Sequence, residues 1–154
     1  MPGDTDRRVL STLYYVDDSD DEIFLSRVLF KRQKIDLEIV HFSTFQRFLE
    51  HSMELEPELL AGTLTVVDLN LTISKGTEGI RTFRGRPEGS RYVIGICSGS
   101  EDPADRQLAF DSGADFFVPK PLNRDRLSDI CASRADLSLA EDAEGRLYVS
   151  RAFE

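Results

Sequence analysis

Runs of apolar residues alternate with amphipathic stretches along most of the chain. "TLYYV" (12–16) reads as a first strand, and "DEIFLSRVLFKRQ" (21–33) places Phe24, Val28, Leu25 and Leu29 at helical spacing. "DLEIVHF" (36–42) alternates loosely through Leu37, Ile39 and Phe42, as an edge or half-buried strand does. Ser43 can cap a second helix, "TFQRFLEHSM", with Phe45, Phe48 and Leu49 on one face. A loop containing Pro57 follows. "TLTVVDL" (63–69) is a β-branched apolar strand, and "TEGIRTFRG" (77–85) a short helix with Ile80 and Phe83 inward. "YVIGIC" (92–97) is a buried strand. "PADRQLAFDSGA" (103–114) opens on Pro103 at a favoured first-turn position and closes on Gly113. "DFFV" (115–118) and "NRDRLSDICASR" (123–134) complete a fifth strand and a fifth helix. Five such βα units with continuously apolar strands predict an α/β fold, a parallel sheet covered on both faces. Residues 135–154, "ADLSLAEDAEGRLYVSRAFE", lie beyond the pattern and read as a short extra strand or a loose tail.

Ligands of such sheets bind beyond the carboxyl ends of the strands. Asp17 and Asp18 follow the first strand, Asp68 the third, Ser98 the fourth and Lys120 the fifth. Three acids, a hydroxyl and an amine therefore converge on one edge. Carboxylates in one place raise each other's pKa, and a divalent cation removes the conflict. Mg²⁺ takes hard oxygen ligands, often one or two carboxylates plus phosphate oxygens. Lys120 can pair with Asp68 or with an incoming phosphoryl oxygen, and Ser98 offers a neutral donor. Carboxylates act as nucleophiles toward phosphorus, and phosphoryl transfer is mostly positioning and charge stabilisation.

Composition narrows this picture little. The 154 residues fit one domain, 40% of them hydrophobic and 31% charged. The formal net charge of -9 argues against nucleic-acid binding. No stretch reaches the ~20 apolar residues a membrane helix needs, and the start, "MPGDTDRRV", carries no export signal. Cys97 and Cys131 read as two buried free thiols, which places the chain in a reducing cytoplasm. Asp20, Asp21 and Glu22 are explained by the dipole of the helix they begin. His41 and His51 have no partner pattern, and the series from Arg81 to Arg91 reads as a solvated face.

The sequence resembles the receiver domain of two-component response regulators. The likeness spans roughly residues 10–133 and rests on Asp17-Asp18 in "YYVDDSDDE", Asp68 in "TVVDLNLT", Gly76, Ser98 in "IGICSG", Phe117, and Lys120-Pro121 in "DFFVPKPL". It implies a flavodoxin-like, doubly wound sheet of order 2-1-3-4-5 with five helices, a receiver domain over 8–134 and an extension over 135–154. It implies a phosphoryl group accepted on Asp68 from a sensor histidine kinase or phosphotransfer protein, with autodephosphorylation. Mg²⁺ would be held by Asp18 and Asp68 directly, by Asp17 mostly through water, and by the main-chain carbonyl of Asn70. Lys120 and Ser98 would hold the phosphoryl oxygens. Movement of Ser98 would let Phe117 turn inward and alter the surface of the fourth helix, fifth strand and fifth helix for a downstream protein target, with Pro121 structural at the site. Leu71-Thr72 stands where the family often has Met-Pro, Ser98 where Thr is common, and Gly99 where Ala is common. "DDSDDE" and "DLNL" also look like the stand-alone receivers that serve phytochrome-type kinases and tend to form homodimers. Two other readings stand beside this one. "VVDLNLT" resembles the nucleophile motif of haloacid-dehalogenase-type phosphatases, although Asn70 replaces their second Asp. A receiver-like module could also bind partners without phosphorylation.

Overall fold

The computed structural model describes residues 6–71 and 75–153. Strands β2 (Thr12–Val16), β3 (Glu38–Phe42), β4 (Leu64–Asp68), β5 (Val93–Ser98) and β6 (Phe117–Pro119) form a parallel sheet of order β3-β2-β4-β5-β6. Counted within that sheet, the order is 2-1-3-4-5, and the fold is flavodoxin-like. Successive side chains of a strand point to opposite faces, which divides the core in two. Leu13, Tyr15, Leu64 and Val66 pack under helices α1 (Asp20–Arg32) and α6 (Arg124–Ala132). Tyr14, Val16, Ile94 and Ile96 pack under α2 (Phe45–Met53), α3 (Pro57–Ala61), α4 (Gly76–Arg84) and α5 (Pro103–Asp111). Ile80 and Phe83 face inward as their spacing predicts, and Gly113, at φ +106°, ends α5. Cys97 and Cys131 are free and buried. Burial pushes their thiols up, to about 12 and about 11. Among the described residues, no helix is long and apolar enough to cross a membrane.

Several expectations need correction. There are six α-helices among the described residues. The extra one, α3, forms where a loop was expected, with Pro57 in its first turn and Leu60 and Ala61 buried. Thr44, not Ser43, caps α2 by accepting from the Arg47 N–H. In α1 the inward side chains are Ile23, Ser26 and Phe30, whereas Phe24 is 70% exposed and Leu25 is exposed as well. The arginines from Arg81 to Arg91 are not all solvated. Arg84 pairs with Asp115 at 2.8 Å and donates to the carbonyls of Gly113, Gly89 and Tyr92.

The segment past α6 forms two strands, β7 (Leu137–Glu141) and β8 (Leu147–Phe153). They join β1 (Asp6–Val9) in an antiparallel sheet of order β1-β8-β7. Leu137, Leu147 and Val149 enter the α1/α6 core. Arg151, 5% exposed, donates to Asp136 at 2.9 Å and to the carbonyls of Ala61 and Arg91. Those carbonyls precede β4 and β5, so the small sheet sits at the amino edge of the parallel strands, away from Asp68. Asp136 also accepts from Arg134, which reaches Asp115 and through it Arg84. Three arginines and two aspartates thus form one chain of ion pairs.

Removing one member leaves buried charge and carbonyls unpaired, a loss of about 3–5 kcal/mol. Arg151→Met is expected to lose about 3 kcal/mol in urea unfolding, by that reasoning. Burial opposes ionisation of Asp136, but Arg134 and Arg151 outweigh it and hold the carboxyl below its ordinary value. A lowered carboxyl stabilises the fold above its unfolded pKa, and the contribution disappears as pH falls through the folded one. Asp136→Asn should therefore cost stability at pH 7 and little in strong acid, as paired unfolding curves would read.

Candidate functional site

β2 and β4 are neighbours, so their carboxyl ends bring Asp17 and Asp68 side by side. β5 follows in register, Asp68 opposite Cys97, and β6 next, with Ser98 opposite Pro119. The parallel sheet alone therefore gathers residues far apart in sequence. Asp17 is fully buried, Asp68 nearly so, and Asp18 is exposed. One ligand oxygen from each of the three lies within 4.8 Å of the others.

Lys120 enters this group from the end of β6. Its ammonium lies 2.9 Å from Asp17 Oδ2 and 3.3 Å from Asp68 Oδ1. Pairing with Asp68 was expected, and the shorter contact is with Asp17. The Lys120 ammonium is thus the partner of the buried Asp17 Oδ2. Asp17 Oδ1 accepts from the Ser19 N–H at 2.8 Å. Burial, then repulsion from Asp17, raises the Asp68 carboxyl, against the pull of Lys120 and of the Asn70 N–H. Burial works against the Lys120 ammonium, but contact with Asp17, then Asp68 and Glu22, carries it upward overall. The cluster fits a divalent cation: hard oxygens converge, and three carboxylates share a single ammonium.

The other expected residues surround this centre. Ser98 is buried, and its Oγ accepts from the Ser100 N–H at 3.0 Å. Asn70 is exposed and bridges antiparallel to Lys75, which closes the loop after β4. Leu71 lines a cavity beside Asp18, while Thr72 lies outside the described residues. Gly76 donates to the Leu69 carbonyl at 2.9 Å, and a Cβ there would collide with the main-chain carbonyl of Asp68. Phe117 is half-buried in a cleft with Arg106 and Phe110, away from the acids. Pro121 follows Lys120 through a cis peptide bond.

His41 acts here, although sequence reasoning found no partner for it. His41 Nε2 lies 2.6 Å from the Asp17 carbonyl, so its N–H donates and ties the acidic turn to β3. His51, likewise left without a partner, sits 3.3 Å from the Tyr14 hydroxyl. Glu22 differs from exposed Asp20 and Asp21, because its Oε2 is buried without a hydrogen-bond partner.

No family model matches the sequence, and no curated protein matches it. Solved structures match its fold. The bacteriophytochrome response regulator AtBRR superposes with a TM-score of 0.67 at 17% identity, covering 80% of this chain and 91% of its own. A response regulator receiver protein from Dyadobacter fermentans gives 0.66 at 22% identity, covering 76% and 91%. The Mn²⁺-bound form of response regulator Rcp1 gives 0.58 at 19% identity, covering 76% and 86%. The fold is the receiver fold. The β1-β8-β7 sheet is an addition to the five-stranded core that carries the acidic edge.

A carboxyl with a raised folded pKa is a cost above that pKa, relieved as pH falls through it. Asp68→Asn should therefore raise the stability of the metal-free protein at pH 7, by an amount of the order of 1 kcal/mol. The gain should shrink in acid. Thermal unfolding of both proteins across pH measures it.

Proposed function

We propose that the chain is a response regulator that accepts a phosphoryl group on Asp68 from a phosphohistidine of a sensor kinase or phosphotransfer protein, and signals through protein contacts. The observation that carries this reading is the grouping of Asp17, Asp18 and Asp68 within 4.8 Å with Lys120 inserted among them. An Asp68 oxygen would form the new P–O bond as the P–N bond of the donor breaks, the imidazole taking up a proton. Lys120, already 3.3 Å from Asp68, is placed to pair with a phosphoryl oxygen, and Ser98 ends the adjacent strand. Asp17, Asp18, Asp68 and the Asn70 carbonyl would hold Mg²⁺, whose charge offsets that of the acids and of the phosphoryl oxygens. The Mn²⁺-bound Rcp1 has the same fold and supports a divalent ion here, and the likeness to AtBRR supports a phytochrome-type kinase as donor. Two free, inert thiols suit the cytoplasm. Phe117, in a cleft between α5 and α6, would relay the modification to that surface.

The phosphatase reading fits less well. Asn70, neutral and exposed, stands where that motif carries the acid that protonates a leaving group. A module without phosphoryl chemistry leaves the cost of the acidic cluster unexplained.

Acetyl phosphate with Mg²⁺ should add one phosphoryl group to the wild type and none to Asp68→Asn, read by intact mass. Equal labelling would overturn the assignment, and turnover of many phosphate esters would favour the phosphatase. Mg²⁺ should also raise the melting temperature of the wild type. Asp18→Ala should abolish that rise, whereas Asp20→Ala and Asp21→Ala should keep it.

A further inference from the structure

Helix α5 begins with an interrupted cap. Asp102 is its N-cap, and Asp102 Oδ1 accepts from the Ala104 N–H at 2.9 Å. In a capping box the third helical residue reaches back to the N–H of the cap, and that residue here is Asp105. A hydroxyl stands between the two. Ser100 Oγ accepts from the Asp102 N–H at 3.2 Å and donates to Asp105 Oδ2 at 2.6 Å, the length of a hydroxyl bonded to a carboxylate. The Ser100 N–H in turn donates to Ser98 Oγ at 3.0 Å. An unbroken run of hydrogen bonds thus joins the buried hydroxyl at the end of β5 to the first turn of α5. Packing does little for the loop between them: Gly99 is exposed, and nothing lies within 4 Å of where a Cβ would stand. α5 is the fixed side. Its Ala109 is fully buried, and Arg106, next to Asp105, donates to the Phe117 carbonyl of β6 at 3.3 Å.

We propose that Asp105 is a positioning residue: through Ser100 it fixes the Ser98 hydroxyl so that its hydrogen is free to donate to a phosphoryl oxygen on Asp68. The inference rests on the proposed role of Ser98. A serine hydroxyl carries one hydrogen and two acceptor lone pairs, and it rotates to suit its partners. With the Ser100 N–H on the Ser98 oxygen, one acceptor site is filled and the hydrogen is left for another partner. Ser98 ends β5, beside the strand that ends in Asp68. The Ser100 N–H stays on that oxygen while the Ser100 side chain is held, and the Asp105 carboxylate holds it. Asp105 thereby has a use apart from the helix dipole, the ordinary reason for an acid in a first turn.

At saturating Mg²⁺, Asp105→Ala should slow labelling by acetyl phosphate about tenfold, the equivalent of one hydrogen bond to a charged group. Ser100→Ala should slow it to a similar degree. Asp105→Asn removes the charge but keeps an acceptor for the Ser100 hydroxyl, and should recover most of the rate. Glu101→Gln, which removes a charge from the same loop, should leave the rate unchanged. In a Ser98→Ala background Asp105→Ala should add nothing, because the hydroxyl it orients is gone. In the metal-free protein the Ser100 amide proton resonance should move toward its unbonded position in Asp105→Ala and stay in place in Asp105→Asn. An unchanged rate or an unmoved resonance in Asp105→Ala would overturn the role of Asp105. So would equal slowing by Asp105→Asn and Asp105→Ala, or further slowing in the Ser98→Ala background. If the wild type takes no phosphoryl group, the acceptor reading fails separately, and the Ser100 resonance alone decides this inference.

Discussion

Asp17 and Asp68 can be neighbours in a buried pocket only because Lys120 lies between them. Two unit charges about 4 Å apart attract by about 4 kcal/mol where the effective dielectric is about 20. Taking each ion out of water costs several kcal/mol. The terms nearly cancel, so the triad contributes little to folding. What it determines is arrangement. The ammonium fixes how the ends of β2, β4 and β6 meet. Three carboxylates share that single ammonium, so the pocket is short of positive charge and suited to a dication.

The rest of the molecule keeps this edge in place from both sides. The main-chain carbonyl of Asp68 is packed so closely by α4 that only glycine fits at position 76. His41 holds the Asp17 carbonyl from the edge strand β3. At the other end of the strands, Arg151, Asp136, Arg134, Asp115 and Arg84 pin the starts of β4, β5 and β6. Rigid strands with both ends fixed can hold repelling groups at one end without spreading.

The parallel sheet was legible because its strands are buried on both faces and so read as unbroken apolar runs. The chemical residues were legible because each stands just past such a run. β1 was not legible. "DRRV" buries none of its side chains and exists by main-chain pairing with β8, more than 140 residues away. α3 was hidden because one proline and five residues look like a loop until Leu60 and Ala61 find their packing. Arg84 looked like one more surface arginine, since nothing local announces Asp115, 31 residues on. Glu22 was hidden differently: a first-turn carboxylate already has an explanation in the helix dipole, and only the geometry shows its buried oxygen unpaired.

The pairing of β1 with β8 has a mechanical consequence. Asp6 stands opposite Phe153, so both strands end together at the same side of the small sheet. A force drawing these two points apart would load the ladder one rung at a time, peeling it like a zipper instead of shearing it. The third rung, Arg8 opposite Arg151, meets the side chain that is bonded to Asp136, Ala61 and Arg91. β1 could part there, but β8 would stay anchored at that rung, with its tension passed into the starts of β4 and β5, the strands that end in Asp68 and Ser98.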